Sequence, residues 1–177
     1  VDVFFVISGY LIIGQLWRVL CNNSLSFTSF YSSRFKRLLP AYIVVAVFTS
    51  IFAYFYLLPG EYANYSYSLI ASLLYASNFW FYTQSGYFSA ALEFAPLLHT
   101  WSLSVEEQFY FIFPILLLLL AKVKLQTKGM LVILTLLALI SFLLGEWLLQ
   151  IDSSLSFFAS PTRFWQFIAG GLLAISG

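Results

Sequence analysis

An all-α, polytopic transmembrane bundle is what this sequence predicts, with about five spans and one re-entrant or interfacial helix. Two observations predict it. Of the 177 residues, 62% are hydrophobic and only 8% are charged, where a soluble globular domain carries about 25% charged residues. The apolar residues also fall into runs close to the ~20 residues that a helix needs to cross a bilayer. No repeat or low-complexity linker divides the chain, so residues 1–177 read as one membrane domain.

The runs lie at roughly 3–19, 39–58, 103–121, 129–149 and 161–177. Arg34, Lys36 and Arg37 precede the second, and Lys122, Lys124 and Lys128 separate the third from the fourth. Short loops rich in Lys and Arg stay in the cytoplasm, which places 20–38 and 122–128 inside and 59–66, 84–98 and 150–160 outside. A full crossing at residues 66–83 would break that parity. This Tyr- and Trp-rich stretch is therefore expected to be a re-entrant or interfacial helix on the outer side.

Composition also excludes several functions. A net charge of +1 without a basic stripe gives no basis for nucleic-acid binding. The lone Cys21 has no partner for a disulfide and no metal-ligand spacing, so it reads as a structural thiol, and no metal site is expected. The Asn22–Asn23–Ser24 glycosylation triplet falls in a predicted cytoplasmic loop and is discounted. No initiator Met or basic n-region precedes the first apolar run, so the chain reads as starting inside an element rather than at a signal peptide.

Charge inside such a sequence is informative because a carboxylate at membrane depth costs about 3 kcal/mol on insertion scales. In LLHTWSLSVEEQFYFIFP, helical spacing puts His99, Glu106 and Tyr110 within about 40° of one another, with Ser102 on the flank and Glu107 about 80° away. His99, a side-chain type that exchanges protons near neutrality, is the expected partner of Glu106. The competing reading is a capping box, Ser104 with Glu107, both acids being favoured by the helix dipole.

Arg34 and Arg37 lie three apart, before a span that Pro40 helps to start, and suit either a phosphate-like anion or plain positive-inside anchoring. Lys36 lies off that face and reads as an anchor. Arg163 and Trp165 stand at the outer end of the last run, as an interfacial pair or as ligands. Asp2 opens the first run, as a cap or as part of the Glu106 cavity. Gly9, Gly14, Gly170 and Gly171 allow close helix approach, and Ser8 can bond across such an interface.

Taken together, VDVFFVISGYLI, FYSSRFKRLLPAY, SNFWFYTQSGYF, PLLHTWSLSVEEQFY and TRFWQFIAGGLLA resemble, in order, the motifs of the acyltransferase-3 family. These are bacterial integral-membrane O-acyltransferases of lipopolysaccharide, peptidoglycan and other surface polysaccharides. The resemblance implies a multi-pass protein of the inner membrane. It further implies transfer of an acyl group, usually acetyl from acetyl-CoA, to a hydroxyl of a polysaccharide or lipid-linked sugar on the outer side.

By the same resemblance, Arg34 and Arg37 match an R-x-x-R pair that contacts the donor. His99, Trp101, Ser102, Glu106, Phe109 and Tyr110 match the H-T-W-S-L-x-x-E-x-x-F-Y signature. Within it, Glu106 and His99 take supporting catalytic roles, and Trp101, Ser102 and Tyr110 take substrate-binding ones, together with Asp2. Arg163 and Trp165 match R-x-W-E, with Gln166 in place of the usual Glu. The family's main catalytic His is expected upstream of Val1, with more helices, and in some members an SGNH-type domain, beyond Gly177. Two alternatives are a proton-coupled transporter or flippase and a non-catalytic subunit or fragment.

Overall fold

The computed structural model of the chain describes residues 1–21, 27–85, 92, 95–122 and 126–176, without the side chains of Cys21 and residues 27–29. The glycosylation triplet, the Cys21 thiol, Lys124 and the end of the SNFWFYTQSGYF motif lie outside the described residues. The described residues form eight α-helices and no strand. They are α1 (Asp2–Cys21), α2 (Phe27–Tyr56), α3 (Pro59–Leu73), α4 (Ser77–Gln84), α5 (Thr100–Lys122), α6 (Thr127–Ile151), α7 (Ser153–Phe158) and α8 (Phe164–Ser176). A 3-10 turn, Ser160–Thr162, leads into α8.

Four of these, α1, α2, α5 and α6, are long and apolar enough to cross a membrane, and α8 is shorter. The chain is a multi-pass membrane protein. The expected fifth run, 161–177, is thus a 3-10 turn and a helix of 13 residues. The expected inner loop 20–38 is mostly helical, because α2 starts at Phe27 and Pro40 lies inside it rather than at its start. A membrane helix tolerates an internal Pro where neighbouring groups satisfy the freed carbonyl.

Residues 66–83 are not one helix. Two helices, α3 and α4, meet at Tyr75, whose φ of 52° puts it in the left-handed region that ends a helix. Tyr42 and Ser72 hydroxyls pair at 2.6 Å, and Ser50 and Tyr65 hydroxyls at 2.7 Å, so α3 runs antiparallel to α2. Beyond the turn, α4 heads back, and Tyr82 donates to Asp152 at 3.0 Å beside the end of α6. The pair enters and leaves at one end of the bundle, as a re-entrant segment does.

The tightest contact is between α1 and α8, which run parallel. A Cβ on Gly9 would lie 2.0 Å from the Phe167 carbonyl oxygen, and one on Gly170 would lie 2.0 Å from that of Val6. Neither backbone can move aside without parting the helices, so both positions require glycine. Around this contact Phe5 stacks on Phe167 (4.6 Å), Phe167 on Phe109 (4.4 Å) and Phe109 on Phe113 (4.7 Å), which ties α1 and α8 to the central α5. Aromatic pairs of this kind add about 0.5–1.5 kcal/mol beyond area burial.

By contrast, α2 and α6 show Phe48, Phe52, Phe55, Leu139, Ile140 and Leu143 to the outside. So much contiguous apolar surface suits lipid rather than water.

Gly170→Ala is expected to destabilise the bundle by at least about 1–3 kcal/mol, the usual cost of overpacking. Gly60→Ala, whose Cβ would meet nothing within 4 Å, should be neutral. Thermal unfolding of the two variants in detergent checks the difference.

Candidate active site

The centre of the bundle holds a carboxylate. Glu106 lies on the face of α5 turned toward α1 and is only 5% exposed. Its Oε1 accepts a hydrogen bond from Ser8 Oγ of α1 at 2.6 Å and another from the Tyr110 hydroxyl one turn on. The two hydroxyls also touch each other. Its Oε2 is buried and has no hydrogen-bond partner among the described residues. Removing a carboxylate from water costs several kcal/mol, which two donors on one oxygen offset only in part.

Arg34 reaches this cluster from α2. Its guanidinium lies 5.2 Å from the Tyr110 ring centre, in cation–π range, and 5.8 Å from that of Phe30. One of its nitrogens lies 3.5 Å from Gln15 Oε1. Tyr31, one turn earlier, donates to the Tyr110 carbonyl at 3.4 Å. Glu107 is half-buried beside them, within reach of the Arg34 charge. The arginine and the acids, expected on opposite sides of the membrane, therefore converge. The reason is that α2 begins early enough to bring Arg34 alongside the middle of α5. Arg37, three residues on, is exposed.

His99 lies apart from Glu106. Backbone bonds from Thr100 to Leu97 (2.9 Å) and from Trp101 to Leu98 (3.1 Å) form a turn ahead of α5, and His99 is exposed in it. Helical spacing cannot be extended back through that turn, so the expected partner of Glu106 is replaced by Ser8 and Tyr110. Ser102 donates to the His99 carbonyl at 3.0 Å. The capping box does not form either. With α5 starting at Thr100, Ser104 is interior and its hydroxyl pairs with Ser77 Oγ at 2.8 Å.

That serine pair belongs to a buried network. Thr100 donates to Ser77 (3.0 Å), Gln108 Nε2 to Asn78 Oδ1 (2.9 Å) and to the Tyr75 carbonyl (2.8 Å), and Asn78 Nδ2 to the Phe158 carbonyl (3.0 Å). Ser160 closes the ring on Gln108 Oε1. These bonds fasten the re-entrant pair to α5 and to the turn before α8. Sequence reasoning missed them, and their one visible signal is the run of small polar residues in an apolar context.

At the start of α1, Asp2 accepts from Gln166 Nε2 at 3.0 Å and pairs with Arg163 at 3.4 Å. Gln166 is buried, and its amide gives Asp2 a donor where a Glu would set two acids together. Arg163 lies 5.0 Å from the Phe157 ring centre, and Trp101 packs on the same ring at 4.6 Å. Trp101 and Arg163 line a cleft of 530 Å³ with Phe157, Leu98 and Ser154. Trp165 does not join them, since its ring meets Phe142 of α6 edge-on at 5.4 Å. Asp152 caps α7 through the Leu155 N–H at 3.0 Å, and that bond holds its carboxyl below the usual range. The cap is complete at neutral pH and is lost as pH falls through that lowered value.

The family model described as an acyltransferase domain matches residues 1–177. An uncharacterized protein of Haemophilus influenzae is 34% identical over 179 residues, covering 98% of this chain and 73% of its own length. The peptidoglycan O-acetyltransferase OatA of Listeria monocytogenes is 37% identical over 183 residues, covering 98% of this chain and 28% of its own length. A putative O-acetyltransferase of Staphylococcus aureus is 35% identical over 180 residues, covering 98% and 29%. The chain therefore spans less than a third of these two O-acetyltransferases. No solved structure matches.

Combining Ser8→Ala with Tyr110→Phe leaves the Glu106 carboxylate without either donor and is expected to cost about 3 kcal/mol or more. Adding Glu106→Leu, which removes the charge, should restore most of the thermal stability. Melting temperatures of the double and triple variants test this.

Proposed function

The chain belongs to the acyltransferase-3 family, and on that premise we propose that the full-length protein is an O-acyltransferase of the bacterial inner membrane. It moves an acetyl group from cytoplasmic acetyl-CoA to a hydroxyl of a surface polysaccharide or its lipid-linked precursor. The observation that carries this reading is the Glu106 cluster, a buried carboxylate with one oxygen held by Ser8 and Tyr110 and the other without a partner among the described residues. The Listeria relative, named as a peptidoglycan O-acetyltransferase, supports the acceptor class.

In this reading Arg37 meets the phosphates of the donor, and Arg34, half-buried over Tyr110, leads its thioester arm inward. Glu106 is a positioning residue. Its Oε2 holds the N–H of the catalytic histidine that the family resemblance implies for the full-length protein. That imidazole takes the proton of the acceptor hydroxyl as the oxygen attacks the thioester carbon. The tetrahedral oxyanion collapses, the C–S bond breaks, and the proton passes to the departing thiolate. The sugar sits at the outer end, in the cleft of Trp101 and Arg163, with Asp2 holding the arginine.

Mass spectrometry of surface glycans from cells carrying full-length variants provides the test. Glu106→Gln is expected to lower acetylation by about two orders of magnitude, in the range of general acid–base effects, and Glu107→Gln by much less. Arg37→Ala should abolish acetylation at normal membrane abundance. Glycans that carry no acyl group even with the wild-type gene would refute the assignment.

A further inference from the structure

A second cleft, of 430 Å³, opens between the end of α2, the re-entrant pair and the segment ahead of α5. That volume suits one small organic ring. Its floor is apolar and closed, formed by Phe81 (1% exposed) and Tyr65 (4% exposed). Trp80 forms one wall, its ring braced by Tyr67 at 5.3 Å, and Asn64 and Gln84 stand on the rim. Glu61 also lines the cleft but is engaged in capping α3, accepting the Leu58 N–H at 3.0 Å.

An indole wall, an apolar floor and two carboxamides match the surface of a pyranose. The C–H face of the ring packs on an aromatic plane, and adjacent hydroxyls, each both donor and acceptor, suit amides that offer both. With no cation among the described lining residues, a phosphate or carboxylate ligand finds no complement there. A lipid tail would leave both amides unpaired.

Leu92 lines this cleft and also the one that contains Trp101 and Arg163, so the two are neighbours. We propose that the re-entrant cleft is a second glycan subsite, holding the sugar next to the one that is acylated. This rests on the acceptor reading above. It makes the enzyme selective for an acceptor chain of two or more sugars over a single sugar.

The test uses the full-length protein in membrane vesicles, with fragments of one, two and four sugars cut from the surface glycans of a strain lacking the gene. For the wild type, kcat/KM should rise about tenfold from one sugar to two, equivalent to about 1.4 kcal/mol of added interaction. Asn64→Ala, Gln84→Ala and Trp80→Ala should erase that rise and leave the single-sugar rate unchanged, and Trp80→Phe should keep most of it. A wild type without length dependence, or variants that retain it, would overturn the subsite. Variants that lose the single-sugar rate equally would overturn it too, by showing a general structural effect. If the wild type acylates no fragment of any length, the acceptor reading itself fails.

Discussion

A carboxylate held away from water dictates much of this architecture. Glu106 needs donors, and the bundle supplies one from its own helix, Tyr110, and one from α1, Ser8. The second arrives only because α1 lies against α8 at backbone contact, which in turn requires glycine at positions 9 and 170. The stack of Phe5, Phe167, Phe109 and Phe113 fills the remaining space and keeps α5 in register with both. The environment of Glu106 is thus a property of three helices, not of one motif.

The same rule, that polar groups inside an apolar bundle must find each other, explains the re-entrant pair. Its helices are too short to be held by lipid burial alone, at 15 and 8 residues. Bonds from Tyr42 and Ser50 hold α3, and the Ser77, Asn78 and Gln108 network holds α4. In a medium with no competing water, an unmade bond is costly, so a satisfied network fixes one arrangement.

Much of this could be read from the residues themselves. Apolar composition fixes the long helices, and the glycine positions mark the close contact, because both depend on local size and hydropathy. Loop charge argues for a single re-entrant or interfacial helix at 66–83 but does not reveal the break at Tyr75, since a left-handed turn at a tyrosine leaves no mark in composition. Spacing rules pair His99 with Glu106 because they assume that a helix is already running, whereas α5 starts one residue later. The meeting of Arg34 with Tyr110 was hidden for another reason. It depends on how α2 leans on α5, which no property of either segment encodes alone. Ser8 reads in sequence as a packing residue, and in the fold it both packs and hydrogen-bonds Glu106.

Ser8 and Gly9 are consecutive on α1, so their side positions differ by about 100°, one turned to α5 and the other to α8. A methyl group at 9 that pries α1 from α8 also drags the hydroxyl at 8 away from its acid. The helix contact and the bond to the acid are here separated by a single peptide bond. Evolutionary drift in α1 is consequently leashed to drift in α8, and a laboratory search for altered activity will do better by randomising both helices together than by exploring the acid's surroundings alone.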